Sequence, residues 1–389
     1  MKIRMKSFAS KLREAVRPAL ILLSLAGVFV GIGYALCPAA MMGGEVVTAA
    51  SRIGWFISRT AGAVYDNRGF VFAVSAGYFF SEKKLAGALA GLISILIYNA
   101  YSGPAFFSVF LPSVFDSPVS TLALYGPNAV TGIILGGISA ALVNKLLSDR
   151  HPLYSAAAAG FILTAVTGIL IAVRIILFHM ITSLGPVLSE NGAAGAAAYA
   201  FLNRLFSPFE LHRPLNYVLL SEAGTGDMSR FWAQVTDGDP GRYMSGFFPP
   251  MMFGIPAACL YLSHRTNSRV FRWFILLTAV CAFSCGLAEP FEYWLILLCP
   301  AGYLCYALIY GISSWLAVIT GFRAGFACSG GFIDLLFSAA MPAASKTWIL
   351  LPLGAVCAIL FLVLASRLGS AAAGDSDIIG PGRNGEEES

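Results

Sequence analysis

Apolar runs separated by short charged or Gly/Pro-containing stretches make up most of the 389-residue chain. The first, Pro18 to Leu36, is long enough to cross a bilayer, which takes about 20 apolar residues in a helix. Glu45 to Val64 is different, because Arg52 and Arg59 interrupt it. That pattern predicts an amphipathic helix lying along the membrane interface or packed within the bundle. Gly69 to Phe80, Ala86 to Tyr98, Ala129 to Leu147 and Tyr154 to Phe178 follow, several of them divided by charged loops such as Glu82-Lys83-Lys84 and Asp149-Arg150-His151. Arg174 stands near the end of the last run, where a long side chain is expected to reach the headgroups by snorkelling. A heptad seam and a fixed-period repeat are both missing, which excludes coiled coils and solenoids.

The second half is less regular. Tyr243 to Leu262, Phe271 to Leu287, Phe291 to Tyr310 and Trp348 to Ser366 read as spans. Between and within them stand Pro208, Pro214, Pro249, Pro250, Pro256, Pro290 and Pro300, each costing a regular helix a hydrogen bond and a steric clash. Irregular backbone at membrane depth persists only where protein or a water-filled cavity satisfies it. Broken or re-entrant helices are therefore expected, and such elements build binding sites in transporters. The expected fold is all-α, a polytopic integral membrane protein with about ten transmembrane helices and re-entrant hairpins in the second half.

Composition supports this. Hydrophobic residues are 58% of the chain and charged residues 12%, about half the ~25% of a soluble domain, so an ordinary soluble enzyme is excluded. The formal net charge is +5, but its placement matters more. Lys2, Arg4, Lys6, Lys11, Arg13 and Arg17 precede the first span, opposed only by Glu14, which places the N-terminus in the cytoplasm. Nucleic-acid binding is not expected from them, and the run they precede is too long for a cleaved signal peptide. Cys37, Cys259, Cys281, Cys285, Cys299, Cys305, Cys328 and Cys357 form no paired C-x-x-C and have no neighbouring histidine. They read as small buried hydrophobes; no metal site and no cofactor is expected. The polar tail from Gly374 to Ser389 should be flexible.

Ionisable side chains within apolar sequence are costly and mark candidate substrate contacts. Asn203 to Asn216, NRLFSPFELHRPLN, combines Arg204, Arg213, Glu210, His212 and two carboxamides, an inventory that suits the hydroxyls of a sugar. Cys285 to Tyr293, CGLAEPFEY, sets Glu289 and Glu292 three residues apart between two apolar runs. Pro290 biases the Glu289 backbone toward an extended conformation. A carboxylate there either accepts sugar hydroxyls, takes a proton from a reacting hydroxyl, or is merely a loop residue at headgroup level. Gly321 to Asp334 is glycine-rich and bracketed by Arg323 and Asp334. It lacks the P-loop spacing and reads equally as a structural hairpin or a substrate contact. Asp237 to Arg242, DGDPGR, reads as a surface turn.

In that order NRLFSPFELHRPLN, GDPGRYMSGFFPPMMFGIPAAC, GLAEPFEYWLILLCPAGYL and GFRAGFACSGGFIDL resemble the membrane-embedded IIC component of the glucose and N-acetylglucosamine family of bacterial phosphotransferase-system (PTS) permeases. YDNRGFVFAVSAGYF, Tyr65 to Phe79, extends the likeness weakly into the first half. The resemblance implies a sugar carried across the membrane and phosphorylated on its 6-hydroxyl by a phosphocysteine of a cytoplasmic IIB domain. His212 matches the histidine of the family's G-L-H element and Glu289 the glutamate of its T-E-P element, both implied to contact the sugar. Arg204, Asn216, Arg323 and Glu292 match further family positions, giving a substrate-binding set of His212, Arg204, Glu289, Asn216, Glu292 and Arg323, with Glu289 as the catalytic candidate. Glu210 replaces the family's glycine, Ala288 its threonine, and the segment from Leu219 to Asp227 is short.

The family's C-x-T-R-L-R phosphocysteine motif has no counterpart here, so the chain is not expected to phosphorylate sugar alone. Its implied role is that of a membrane subunit of a phosphohistidine-sugar phosphotransferase. The implied partners are a hexose or N-acetylhexosamine, a phosphorylated IIB domain on a separate or removed chain, and indirectly IIA, HPr and enzyme I. A homodimer in membrane lipid is implied as well. The expected divisions are a basic N-terminus at 1–17, a scaffold and dimer-interface domain at 18–185, a sugar-binding transport domain at 186–370, and a tail or linker at 371–389. Localisation follows as the bacterial inner membrane, multi-pass, with both termini cytoplasmic. An ion-coupled secondary sugar carrier, or a sugar-sensing homologue that does not transport, remains as an alternative.

Overall fold

The structure, a computed structural model, describes residues 2–38, 45–110, 126–146, 151–221 and 224–374. Of the expected flexible tail, Gly374 to Ser389, all but Gly374 lies outside the described residues, as does the Asp149-Arg150 loop. The described backbone is helical throughout most of its length, and its sole β feature is a bridge between Arg323 and Ser345. In chain order the first half holds α1 (Lys2–Leu36), α2 (Ala49–Asp66), α3 (Arg68–Phe80), α4 (Lys84–Tyr101), α5 (Pro104–Phe110), α6 (Ala129–Leu146), α7 (Pro152–Ile162), α8 (Thr164–Thr182) and α9 (Gly185–Glu190). Then come α10 (Gly192–Phe206), α11 (Arg213–Leu220), α12 (Asp227–Trp232), α13 (Ile255–Arg265), α14 (Arg269–Cys285), α15 (Glu289–Leu298), α16 (Pro300–Thr320), α17 (Phe332–Ser338) and α18 (Leu350–Gly374).

Among the described residues, six helical segments are long and apolar enough to cross a membrane: Lys11–Leu36, Lys84–Tyr101, Pro152–Glu190, Ser245–Arg265, Pro300–Thr320 and Thr347–Leu368. Arg68–Phe80 and Ala129–Lys145 are shorter apolar helices. The protein is thus an all-α polytopic membrane protein. α17, at seven residues, is too short to cross, since a span needs about 17 or more.

The chain forms two compact units built from interleaved segments. The first is Met1–Ala19, Ala63–Pro186 and Phe206–Val218; the second is Leu20–Gly62, Val187–Leu205 and Leu219–Ser389. Small residues hold the first unit together. Gly69, Ala73 and Gly77 recur every fourth residue on α3, as do Gly87 and Gly91 on α4 and Gly132 and Gly136 on α6. A Cβ on Gly77 would lie 2.2 Å from the Gly87 carbonyl oxygen, and one on Gly136 would lie 2.3 Å from that of Ala73. Lipid offers no hydrophobic drive between helices, so close backbone approach and buried polar pairs do the joining. Ser94 and Ser139, 2.9 Å apart, form one such pair between α4 and α6. Gly136→Leu should therefore lower the thermal midpoint in detergent by an overpacking cost of at least ~1–3 kcal/mol; an unchanged midpoint would overturn the contact.

In the second unit, α13 packs against α14 and α18, and α16 against α18. Ser24 of α1 and Thr278 of α14 share a buried hydrogen bond of 3.1 Å. Pro290 is the second residue of α15 and Pro300 the first of α16, positions where the missing N–H has no helical partner to lose. Pro256 follows a π-helical turn over Pro250–Gly254, a widening that accommodates the proline without ending the Ser245–Arg265 segment. On α2, Gly54, Ser58, Ala61 and Tyr65 are buried, while Arg52 and Arg59 are exposed together with Ile53, Trp55 and Phe56. Five cysteines are buried, but Cys305 is exposed on α16, beside the exposed Leu304 and Leu308, on a face that reads as lipid-facing.

Candidate functional site

Glu289 owes its position to a helix break. α14 ends at Gly286, whose φ of +71° reverses the chain at little steric cost, and α15 starts three residues later. Glu289 is the first residue of that helix, not the extended residue that Pro290 predicts. The bias before proline is overridden because Ala288 already turns into the helix, at φ −96° and ψ −11°. Glu289 and Glu292 both lie in the first turn, where the helix dipole favours carboxylates. Glu289 is half-buried.

Glu292 has a different environment. It is wholly buried and accepts hydrogen bonds from Arg204 Nη1 at 2.9 Å and the Tyr306 hydroxyl at 2.8 Å. Arg204 also donates to Asn203 Oδ1 at 2.7 Å, and its guanidinium lies 5.2 Å from the Phe247 ring centre and 5.3 Å from that of Tyr310. The Tyr303 hydroxyl donates to the Arg204 carbonyl. The structure thus unites two predicted residues, 88 positions apart, in a desolvated ion pair framed by tyrosines. Such a pair is structurally demanding, since removing either partner strands the other's charge.

Arg323, three residues past the end of α16, donates from Nε and Nη2 to the two Asp239 oxygens at 2.5 and 2.7 Å. Its Nη1 donates to the Ala317 and Phe322 carbonyls at 3.1 and 2.8 Å. The DGDPGR stretch is exposed over Asp237 to Asp239, as a surface turn should be, and it also clasps Arg323. Asp227, which the sequence does not single out, anchors that turn by accepting the N–H groups of Gly241 at 2.8 Å and Tyr243 at 2.9 Å. Burial pushes its carboxyl up to about 6, against those two hydrogen bonds. Asp334 acts similarly in the glycine-rich loop, accepting from Ala327 N–H at 2.8 Å, Ser329 N–H at 3.0 Å and the Tyr34 hydroxyl at 2.6 Å. Burial raises its pKa despite these donors.

His212 and Asn216 belong to the first unit, Arg204, Glu289, Glu292 and Arg323 to the second. His212 and Asn216 are one helical turn apart, the Asn216 N–H donating to the His212 carbonyl at 3.0 Å. Just before them Glu210 takes a left-handed conformation, φ 55°, and is buried. Its carboxylate pairs with Arg68 and, at 3.1 Å, with Arg213 Nε. Burial alone would raise its pKa, but the guanidinium groups of Arg68, Arg213 and Arg174 more than offset this and hold it below the usual carboxylate range. Arg174 does not snorkel. It is 7% exposed, donating to the Tyr98 hydroxyl at 3.2 Å with its guanidinium 5.3 Å from the Phe178 ring centre, because inward polar partners exist. Arg68 was legible only as part of YDNRGFVF; nothing in its local pattern marks Glu210 as its partner.

A family model described as "Phosphotransferase system, EIIC" matches residues 13–311. Over 336 residues the chain is 31% identical to the PTS system N-acetylglucosamine-specific EIICBA component of Escherichia coli (strain K12), covering 80% of this chain and 49% of that protein. The PTS system N-acetylglucosamine-specific EIICB component of Bacillus subtilis (strain 168) is 31% identical over 344 residues, 83% of this chain and 72% of that protein. The PTS system glucose-specific EIICBA component of Staphylococcus saprophyticus is 27% identical over 331 residues, 77% and 49% respectively. The chain spans about half the length of the EIICBA relatives it matches.

Proposed function

The chain belongs to the phosphotransferase-system EIIC family, and from that membership we propose that it is a sugar permease of the bacterial inner membrane. It binds a hexose or N-acetylhexosamine, with N-acetylglucosamine the first candidate because the relatives above at 31% identity are named for it. It carries the sugar across by alternating access and presents the 6-hydroxyl to a IIB phosphocysteine on a separate or removed chain, supplied in turn by IIA, HPr and enzyme I. It works as a homodimer with both termini in the cytoplasm. Alternating access requires binding that biases two conformations rather than holding sugar tightly in one. The observation that carries this reading is the family match over residues 13–311.

Within it, Glu289 orients the sugar and accepts the proton of the reacting hydroxyl, a task that suits a half-buried carboxylate at a helix start. His212 and Asn216 keep the sugar contacts that their motif implies. Arg204, Glu292 and Arg323 serve the sugar by positioning, since their polar atoms are engaged with one another or with Asn203, Asp239 and Tyr306. Phosphoryl transfer depends on alignment of acceptor and donor, so positioning is the chain's main catalytic contribution.

The test is phosphoenolpyruvate-dependent conversion of labelled hexoses and amino sugars by vesicles holding this chain, supplied with the general phosphotransfer proteins and a family IIB domain. Chain-dependent N-acetylglucosamine 6-phosphate is expected. Accumulation of unmodified sugar would replace this reading with a secondary carrier, and sugar binding without uptake would replace it with a sensor.

A further inference from the structure

One face of α3 is committed to its neighbours in the first unit through Gly69, Ala73 and Gly77. The other face shapes a cavity. Phe70, Val71, Val74, Ser75, Tyr78 and Phe79, together with Pro18 inside α1, line a groove of about 510 Å³, a size that seats small molecules. Pro18 and Tyr78 are exposed, so the groove opens at the surface of the unit.

Its walls are apolar. The Ser75 hydroxyl is spent within the protein, donating to the Ala15 carbonyl. A polyhydroxylated solute would forfeit hydrogen bonds there, whereas a hydrocarbon chain has none to lose. From Phe70 to Phe79 the helix rises about 14 Å, close to half of the ~30 Å hydrocarbon core, so the groove is one leaflet deep. A lipid tail gains little by leaving other tails. Any preference among lipids must therefore come from the headgroup.

The end of the groove is basic. Lys84, exposed at the start of α4, holds its ammonium 5.3 Å from the Tyr78 ring centre and 5.9 Å from that of Phe79. The bond from Ser75 sets Ala15 about 8 Å from the end of α3, so the charged turns of α1 stand near the same end. Over 11–18 and 81–84 the sequence holds five basic residues against two carboxylates, Glu14 and Glu82. Basic residues beside a span favour anionic headgroups.

We propose that this groove holds one anionic phospholipid, with an acyl chain along α3 and the headgroup phosphate on Lys84. The site lies wholly in the first unit and uses none of the residues assigned to the sugar, so it stands or falls apart from the permease reading.

The test takes the purified full chain in nanodiscs of phosphatidylcholine and phosphatidylglycerol in equal amounts, and native mass spectrometry reads the lipid each chain retains. Retention of phosphatidylglycerol in preference to phosphatidylcholine is expected. Lys84→Gln, an exposed change, should cut that preference by about fivefold, the worth of one lysine near an anionic surface, and Lys84→Arg should keep it. Val74→Trp, which fills the groove and leaves Lys84 in place, should abolish it. Leu96→Trp, at an exposed position of α4 that does not line the groove, should not. Retention in the bulk ratio, or a preference that survives both Lys84→Gln and Val74→Trp, would overturn the proposal. So would a dimer that Val74→Trp splits while lipid retention is unchanged, which would assign the groove to a second copy of the chain.

Discussion

Glu289→Gln should give a folded, membrane-inserted protein whose phosphorylation-coupled sugar uptake falls by about 100-fold or more, the loss expected when a general base is removed. The change keeps the side chain's shape, and Glu289 is half-buried at a helix start. His212→Ala should reduce uptake too, by removing a sugar contact. The measurement is labelled-sugar phosphorylation in vesicles matched for the amount of inserted protein, alongside a thermal midpoint in detergent. Full uptake by a well-inserted Glu289→Gln protein would sink the role assigned to this carboxylate.

Glu292→Gln, three residues away, should behave in the opposite manner. Glu292 is wholly buried and its partner Arg204 nearly so, at 0% and 11% side-chain exposure. Neutralising it leaves a guanidinium in apolar surroundings, which costs about 3–5 kcal/mol. The expected result is a sharply lowered midpoint and poor recovery of folded protein, with loss of uptake following loss of protein. Replacing both members by methionine should recover much of the stability, because a buried ion pair often exchanges for packed apolar groups at little cost. If Glu292→Gln kept the original midpoint while losing uptake, Glu292 would have to be reassigned as a direct sugar contact.

These two carboxylates show where local sequence is ambiguous. Both stand in AEPFE between apolar runs, and each equally invites a functional reading on cost grounds. They differ by burial and by partner, which depend on Arg204, Tyr306 and the approach of α16. Arg174 fails for the same reason in the other direction. Its place near the end of an apolar run predicts a headgroup contact, whereas Tyr98 and the Gly126 carbonyl, 76 and 48 positions away, hold it inside. Asp239 and Arg323, 84 positions apart, likewise read separately as a surface turn and a hairpin bracket.

What the sequence determined by itself was whatever depends on neighbours along the chain. Hydropathy over windows of about 20 residues settles that the chain spans a membrane as helices, because backbone groups in lipid have to be satisfied within the segment. Four ordered motifs were enough to suggest the family, to which the match over residues 13–311 now assigns the chain. Glycines and prolines mark where helices end or begin, as at Gly286 and Pro290. Only the tertiary structure decided which ionisable groups are spent on each other. It alone placed Asn203 to Leu205 in one compact unit and Phe206 to Asn216 in the other, although the fourteen residues read as a single cluster. The physical reason is that a charge's environment in an apolar protein is set by the groups folded against it. Those groups come from helices whose order in space is not written in the spacing of residues along any one of them.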